Sequence, residues 1–178
     1  RTLAVPGADL DGVIGMRTKS DADRLASRVH AGTNVVVVGA GFIGLEFAAV
    51  AAALGASVHV LELADRPMAR AVSRPTSEFF RAAHEAWKVT FDFDQGLEVL
   101  EGESGHVREV VTSAGRRIPA DLVVYGIGVV PNVELAEQSG LATANGITVD
   151  ANLLTEDPDI SAVGDAVTFP CIHADGSP

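Results

Sequence analysis

The chain is short of several things, and each shortage removes a class of function. One cysteine, Cys171, stands among 178 residues, so neither an internal disulfide nor a redox-active cysteine pair can form within it. That lone thiol fits a reducing, cytoplasmic setting. Thirteen basic side chains face 24 acidic ones, a formal charge of −11, whereas a nucleic-acid binder needs a basic surface to neutralise phosphates. The same balance disfavours an acidic membrane surface, and no apolar run reaches the roughly 18 residues of a membrane span. His30, His59, His84, His106 and His173 are scattered without the spacings of metal ligands, so no metal site is expected. The one tyrosine, Tyr125, belongs to no Tyr-x-x-x-Lys pair, and no Ser-His-Asp or Cys-His arrangement offers a nucleophile. Low-complexity tracts, repeats and a signal-peptide pattern are also missing. The start, Arg1-Thr2-Leu3-Ala4, has no initiator Met and reads as the interior of a longer protein.

What is present centres on one stretch. Val35-Val36-Val37-Val38 is followed by Gly39-Ala40-Gly41-Phe42-Ile43-Gly44-Leu45-Glu46. Four β-branched residues in a row suit a parallel strand covered on both faces, which has no polar side to show. The spacing Gly39-x-Gly41-x-x-Gly44, opening an alanine-rich helix, is the pattern that cradles a pyrophosphate. Gly39 would make the tight turn, Gly41 would let phosphate approach the backbone, and Gly44 would let helix and strand pack closely. The helix start adds unpaired N–H groups, including those of Phe42 and Ile43, and a partial positive charge. Close packing with no ligand is the bland alternative for the same glycines.

The surrounding pattern predicts an α/β fold. Pro6-Gly7 and Asp11-Gly12 mark an entry segment rich in turns. A helix is expected after Ser20 as N-cap, with Leu25 and Val29 on its apolar stripe and Gly32 ending it. Strand Asn34 to Val38, helix Phe42 to Leu54 and strand Ser57 to Glu62 then form a βαβ unit of about thirty residues. Glu62 closes the second strand, where a carboxylate accepts ribose hydroxyls and repels the extra phosphate of NADP, so NAD is the expected cofactor. Beyond a polar loop with Asp65, Arg66, Arg70 and Arg74, a helix from Thr76 to Ala86 is expected with Phe79, Phe80 and Ala83 inward. A strand from Lys88 to Phe93 follows. Short strands between Leu97 and Ile118 read as an antiparallel meander inserted as the crossover. Asp121 to Tyr125 returns as a buried parallel strand ending in Gly126-Ile127-Gly128, followed by a helix from Val133 to Ser139 and a strand from Ile147 to Val149.

These motifs together resemble the NAD domain of flavin-dependent pyridine nucleotide reductases, in particular the ferredoxin–NAD reductases of bacterial oxygenase systems. The residues carrying the resemblance are the glycine turn with Glu62, Arg66 and Arg70, Met16-Arg17-Thr18, Phe79-Phe80 with His84, Ala120 to Val123, Gly126-Ile127-Gly128 with Pro131-Asn132, Asn145 to Asp150, and Thr155 through Gly164-Asp165. It implies a Rossmann-like, three-layer domain with a parallel sheet and a meander crossover. The whole chain, 1–178, would be one NAD(H)-binding module with its core at about 33–130. Segments 1–20 and 150–178 would be flanking strips of an FAD-binding domain otherwise absent. Gly39, Gly41, Phe42, Ile43 and Gly44 would hold the pyrophosphate, Glu62 the adenosine ribose and Arg70 the adenosine half. Glu46, in the first helical turn, would lie near the nicotinamide amide, and Gly126 to Gly128 would pass beside the cofactor. Asp165 would contact the ribityl chain of FAD in the full protein. No residue is expected to be catalytic, because the flavin carries the chemistry, with a ferredoxin-type iron–sulfur protein as partner.

Three bland readings stay beside these: Glu46 as a dipole-satisfying acid, Arg66 as a solvated surface residue and Asp165 as a turn cap. The resemblance also implies a glycine where this chain has Lys88, so the preceding helix is expected to end without a left-handed residue. A stand-alone NAD(H)-sensing module, or the NAD domain of an NADH oxidase or nitrite reductase flavoprotein, remain the alternatives.

Overall fold

The computed structural model describes residues 1–170; Cys171 and His173 lie outside the described residues. The chain divides into two compact units, Arg1–Gly128 and Val129–Pro178. In the first, the elements are β1 (Val13–Gly15), α1 (Lys19–Ala26), β2 (Asn34–Val38), α2 (Phe42–Ala53), β3 (Ser57–Leu61), α3 (Arg74–Ala86), β4 (Thr90–Asp92), β5 (Leu97–Glu103), β6 (His106–Thr112), β7 (Arg117–Pro119) and β8 (Leu122–Tyr125). Five of the strands form a sheet in the order β1-β8-β2-β3-β4, with every neighbouring pair parallel. The other three, β5-β6-β7, form the antiparallel meander.

The valine run explains the layering. Successive side chains of a strand point to opposite faces. Val35 and Val37 pack with Leu45, Ala48 and Ala51 of α2, while Val36 and Val38 pack with Leu100, Val107, Val110 and Ile118 of the meander. Helices therefore cover one face of the parallel sheet and the meander covers the other. All four valines are buried, each contributing about 1.5–3 kcal/mol of transfer free energy. The α/β fold with a parallel sheet and meander crossover is as the sequence leads one to expect.

Four local expectations are corrected. First, β1 lies within the segment read as entry, yet it pairs with β8 through Val13–Val123, Ile14–Val124 and Gly15–Tyr125. Three residues among turn signals are too few to show a strand pattern. Second, α1 is capped by Thr18 rather than Ser20, in a reciprocal box: Thr18 Oγ1 accepts the Asp21 N–H at 3.2 Å and the Asp21 carboxylate accepts the Thr18 N–H at 2.8 Å. The helix also stops at Ala26, and Gly32 belongs to the turn before β2. Third, Phe79 points outward, 69% exposed, and the buried residues of α3 are Ser77 and His84. His84 is placed between two carbonyls, with Nδ1 2.8 Å from Phe80 O and Nε2 3.0 Å from Leu45 O on α2.

The fourth correction concerns Lys88, which does adopt a left-handed backbone, with φ of 67°. Its N–H donates to Glu85 O at 2.9 Å and the Val89 N–H donates to His84 O at 3.0 Å. This is the Schellman pairing that satisfies the last carbonyls of a helix. Burial of Val89 at 2% exposure draws the chain into that turn despite the side-chain penalty.

The second unit holds α4 (Glu134–Gln138), β9 (Thr143–Ala144), β10 (Gly146–Thr148) and β11 (Val167–Thr168) among the described residues. Its small sheet has the order β11-β10-β9, with β10 parallel to β11 and antiparallel to β9. The Asp150 carboxylate accepts the N–H groups of Asn152 and Leu154, and these hold its acidity above that of an ordinary aspartate.

Replacing Lys88 with Gly removes the penalty of a left-handed Cβ and is expected to raise unfolding stability by about 0.5–1 kcal/mol in urea titration. A second expectation concerns His59, which joins β3 to β4. Its Nδ1 lies 2.7 Å from Thr90 Oγ1, and its Nε2 is 3.1 Å from Asp92 Oδ2 without hydrogen-bond alignment. Burial holds this imidazole below its ordinary value of 6.5, outweighing the nearby Asp92 carboxylate, which favours the charged form. As pH falls below 6.5 the unfolded chain takes up this proton before the folded chain does, so stability drops. Denaturant midpoints between about pH 8 and pH 5 should fall more for the wild type than for His59→Gln.

Candidate functional site at the switch point of the sheet

The strand order creates the site. From β2 the chain winds to β3 and β4 on one side, then returns through the meander to β8 on the other side of β2. The carboxyl ends of β2 and β8 thus splay their connections in opposite directions, the position where open α/β sheets bind ligands. Gly39 follows β2 and Gly126 follows β8. The Gly126 N–H donates to Val38 O at 3.0 Å, and the Gly39 N–H donates to Leu61 O at 2.8 Å.

Each glycine of the turn meets a different constraint. Gly39 has φ of +100°, and a Cβ there would sit 2.7 Å from Gly126 O. A Cβ on Gly44 would sit 2.0 Å from Gly39 O and 3.2 Å from Val37 Cγ1. At Gly41 a Cβ would meet nothing within 4 Å. The outer two glycines are therefore required by packing, whereas the bare side of Gly41 opens onto free space. Gly41 is the N-cap of α2 and supplies no side-chain cap, so first-turn N–H groups are left for an anion. Phe42 and Ile43 are 58% and 41% exposed beside it.

Glu62 follows the last residue of β3 and reaches back over the turn. Its Oε2 accepts the Ala40 N–H at 2.6 Å and its Oε1 accepts the Ala64 N–H at 2.8 Å. The carbonyl of Ala40 accepts the Met68 N–H at 2.9 Å. Ala40, fully buried, is thus held from both ends by the stretch after β3. Sequence reasoning missed both Ala40 and Met68. An alanine inside a glycine motif and a methionine in a polar loop give no signal, and their pairing exists only across the turn.

Gly126, Ile127 and Gly128 continue from β8, with Gly128 exposed at φ of +94°. Arg70 is exposed on the loop before α3. Glu46 is exposed, but it is the fifth residue of α2 and the first turn holds no acid, which corrects its expected position and weakens a dipole-satisfying role. Arg66 is a correction to the solvated reading: its side chain is 18% exposed, and its guanidinium donates to Val72 O at 3.1 Å and Ala69 O at 2.9 Å. Asp165 belongs to the second unit, exposed after Gly164, whose φ is +92°. No group of three or more metal-ligating side chains occurs among the described residues.

Gly44→Ala is expected to destabilise the chain by at least about 1–3 kcal/mol, because a backbone carbonyl must move to admit the methyl. Gly41→Ala is expected to leave stability within about 0.5 kcal/mol of wild type. Thermal unfolding of the two variants checks the contrast.

Comparison with known proteins agrees with this geometry. A family model described as pyridine nucleotide-disulphide oxidoreductase matches residues 1–176. Rhodocoxin reductase of Rhodococcus erythropolis is 47% identical over 170 residues, covering 96% of this chain and 40% of that protein. Rubredoxin-NAD(+) reductase of Pseudomonas putida is 40% identical over 165 residues, covering 93% and 43%. Among solved structures, a ferredoxin reductase from Rhodopseudomonas palustris superposes with a TM-score of 0.92 at 45% identity, over 99% of this chain and 44% of that one. The chain therefore spans about two-fifths of the length of these relatives. With the family model spanning nearly every residue and the sheet, meander and glycine turn all in place, this chain belongs to the pyridine nucleotide-disulphide oxidoreductase family.

Proposed function

We propose that the chain is the NADH-binding module of an FAD-dependent ferredoxin reductase, in which hydride passes from NADH to FAD and electrons pass on to a ferredoxin-type iron–sulfur protein. The observation that carries the reading is the convergence, at one switch point, of an open Gly41, an uncapped α2 and the Glu62 carboxylate. The pyrophosphate lies against Gly39 to Gly44 and the first-turn N–H groups, including those of Phe42 and Ile43. A carboxylate offers about four lone-pair sites. Two of these on Glu62 are taken by the Ala40 and Ala64 N–H groups, which leaves two for the adenosine ribose hydroxyls. A 2′-phosphate at that place meets a like charge, a repulsion on the order of 4 kcal/mol at about 4 Å in an effective dielectric of about 20. That repulsion favours NADH over NADPH.

Arg70 lies along the adenosine half, Glu46 towards the nicotinamide amide, and Gly126, Ile127 and Gly128 beside the bound dinucleotide. Residues 1–20 and 150–178 serve as strips of the FAD-binding part. Asp165, exposed after a left-handed glycine, fits an acceptor for the ribityl hydroxyls of FAD. The redox chemistry belongs to the flavin in the whole reductase; the residues described here bind and orient its hydride donor. The support for FAD and the iron–sulfur partner comes from relatives. One is a FAD-dependent oxidoreductase from Desulfovibrio vulgaris, 38% identical with a TM-score of 0.81. Another is putidaredoxin reductase, solved in a covalent complex with putidaredoxin, 34% identical with a TM-score of 0.89.

By itself the chain binds NAD(H) without turnover. Titration with NADH and NADPH, read by cofactor fluorescence, tests the assignment. Glu62→Ala is expected to weaken NADH binding by about tenfold or more, through loss of charge-assisted hydrogen bonds, and to narrow the gap to NADPH. An unchanged preference would remove Glu62 from the ribose site.

A further inference from the structure

The loop between β3 and α3 is held in a shape that its own sequence does not favour. Met68 is a non-glycine residue at φ of 51°, yet it is 5% exposed and its N–H is the donor to Ala40 O in the glycine turn. Left-handed backbone at such a residue persists only where the surroundings over-determine it, and such places gather at ligand clamps. The surroundings here are specific. The Met68 carbonyl accepts the N–H groups of Ala71 at 2.9 Å and Val72 at 3.1 Å. Ser77, fully buried on α3, donates to Pro67 O at 2.5 Å. The carbonyls of Ala69 and Val72, on either side of the exposed Arg70, both accept from Arg66. Asp65 completes the frame by pairing with Arg74 at 2.6 Å, the first residue of α3.

We propose that Arg66 is a positioning residue for the dinucleotide. Its planar fork locks the loop so that Met68 clasps the carbonyl of Ala40 while Glu62 clasps the N–H. The glycine turn is then held in its binding shape before the nucleotide arrives, and Arg70 is carried outward between the two braced carbonyls. The gain is preorganisation: ordering that would otherwise oppose binding is already in place. Lysine cannot substitute, because one ammonium on a flexible stem does not span two carbonyls in fixed directions. This role rests on the NAD(H)-binding reading above, but the clasp is observable without any nucleotide.

Amide hydrogen exchange and nucleotide titration on Arg66→Ala and Arg66→Lys test it. In both variants the Met68 amide should exchange at least about tenfold faster than in the wild type, while the Val36 and Val60 amides in the sheet keep their protection. NADH and ADP-ribose should both bind about tenfold more weakly, since the clasp serves the pyrophosphate and adenosine half that the two ligands share. Arg66→Lys carries the test if the alanine variant does not fold. A Met68 amide as protected as in the wild type overturns the clasp. A loosened amide with unchanged affinity for both ligands overturns the positioning role alone. A wild-type chain that binds neither NADH nor ADP-ribose overturns the nucleotide reading and this role with it.

Discussion

The structure depends on how closely α2 can approach the end of β2. Where the helix begins, Gly44 lies so near the Gly39 carbonyl that a methyl group would overlap it. Gly39 in turn leaves no room against the Gly126 carbonyl. Three backbone segments therefore meet with hydrogen in place of side chains, and the first turn of α2 stands directly over the switch point. Everything chemical about the site follows from that contact. It sets the uncapped helix start beside Gly41, where a Cβ would meet nothing within 4 Å, an arrangement that suits the diphosphate proposed above.

The contact is affordable because the strand beneath it is buried on both faces. Val35 and Val37 anchor the helices, and Val36 and Val38 anchor the meander. The meander is thus more than a connection: without it one face of the parallel sheet would lie open to water, and parallel sheets are found covered on both sides. Small residues on the buried side of α2, Ala48 and Ala51, let the helix axis lie close to the sheet and carry Gly44 into contact.

Around this rigid centre the stretch after β3 closes like a collar. Glu62 and Met68 hold the two polar groups of Ala40, and Arg66 holds the carbonyls that shape the loop. A carboxylate is thus held beside the place proposed for the ribose by hydrogen bonds from within the chain. On the proposed reading, a charge held there favours a hydroxyl pair and opposes a phosphate through ordinary electrostatics.

Much of this was legible in the residues alone. The valine run, the glycine spacing and the position of Glu62 are local patterns, and local patterns report backbone geometry because sterics and side-chain period act over a few residues. With the short strands between Leu97 and Ile118, they are enough for the α/β class and the meander crossover. What they could not report is which distant groups satisfy one another. The strand at Val13–Gly15 exists because β8 offers it partners. Lys88 turns left-handed because Val89 must be buried and two carbonyls of α3 need donors. Arg66 reads as a surface charge until the carbonyls of Ala69 and Val72 are brought to it. The sequence by itself determined the glycine turn and the carboxylate that faces it. Only the tertiary structure decided that the carboxylate, a methionine amide and an arginine together hold that turn, since hydrogen-bond satisfaction is a property of the folded chain as a whole.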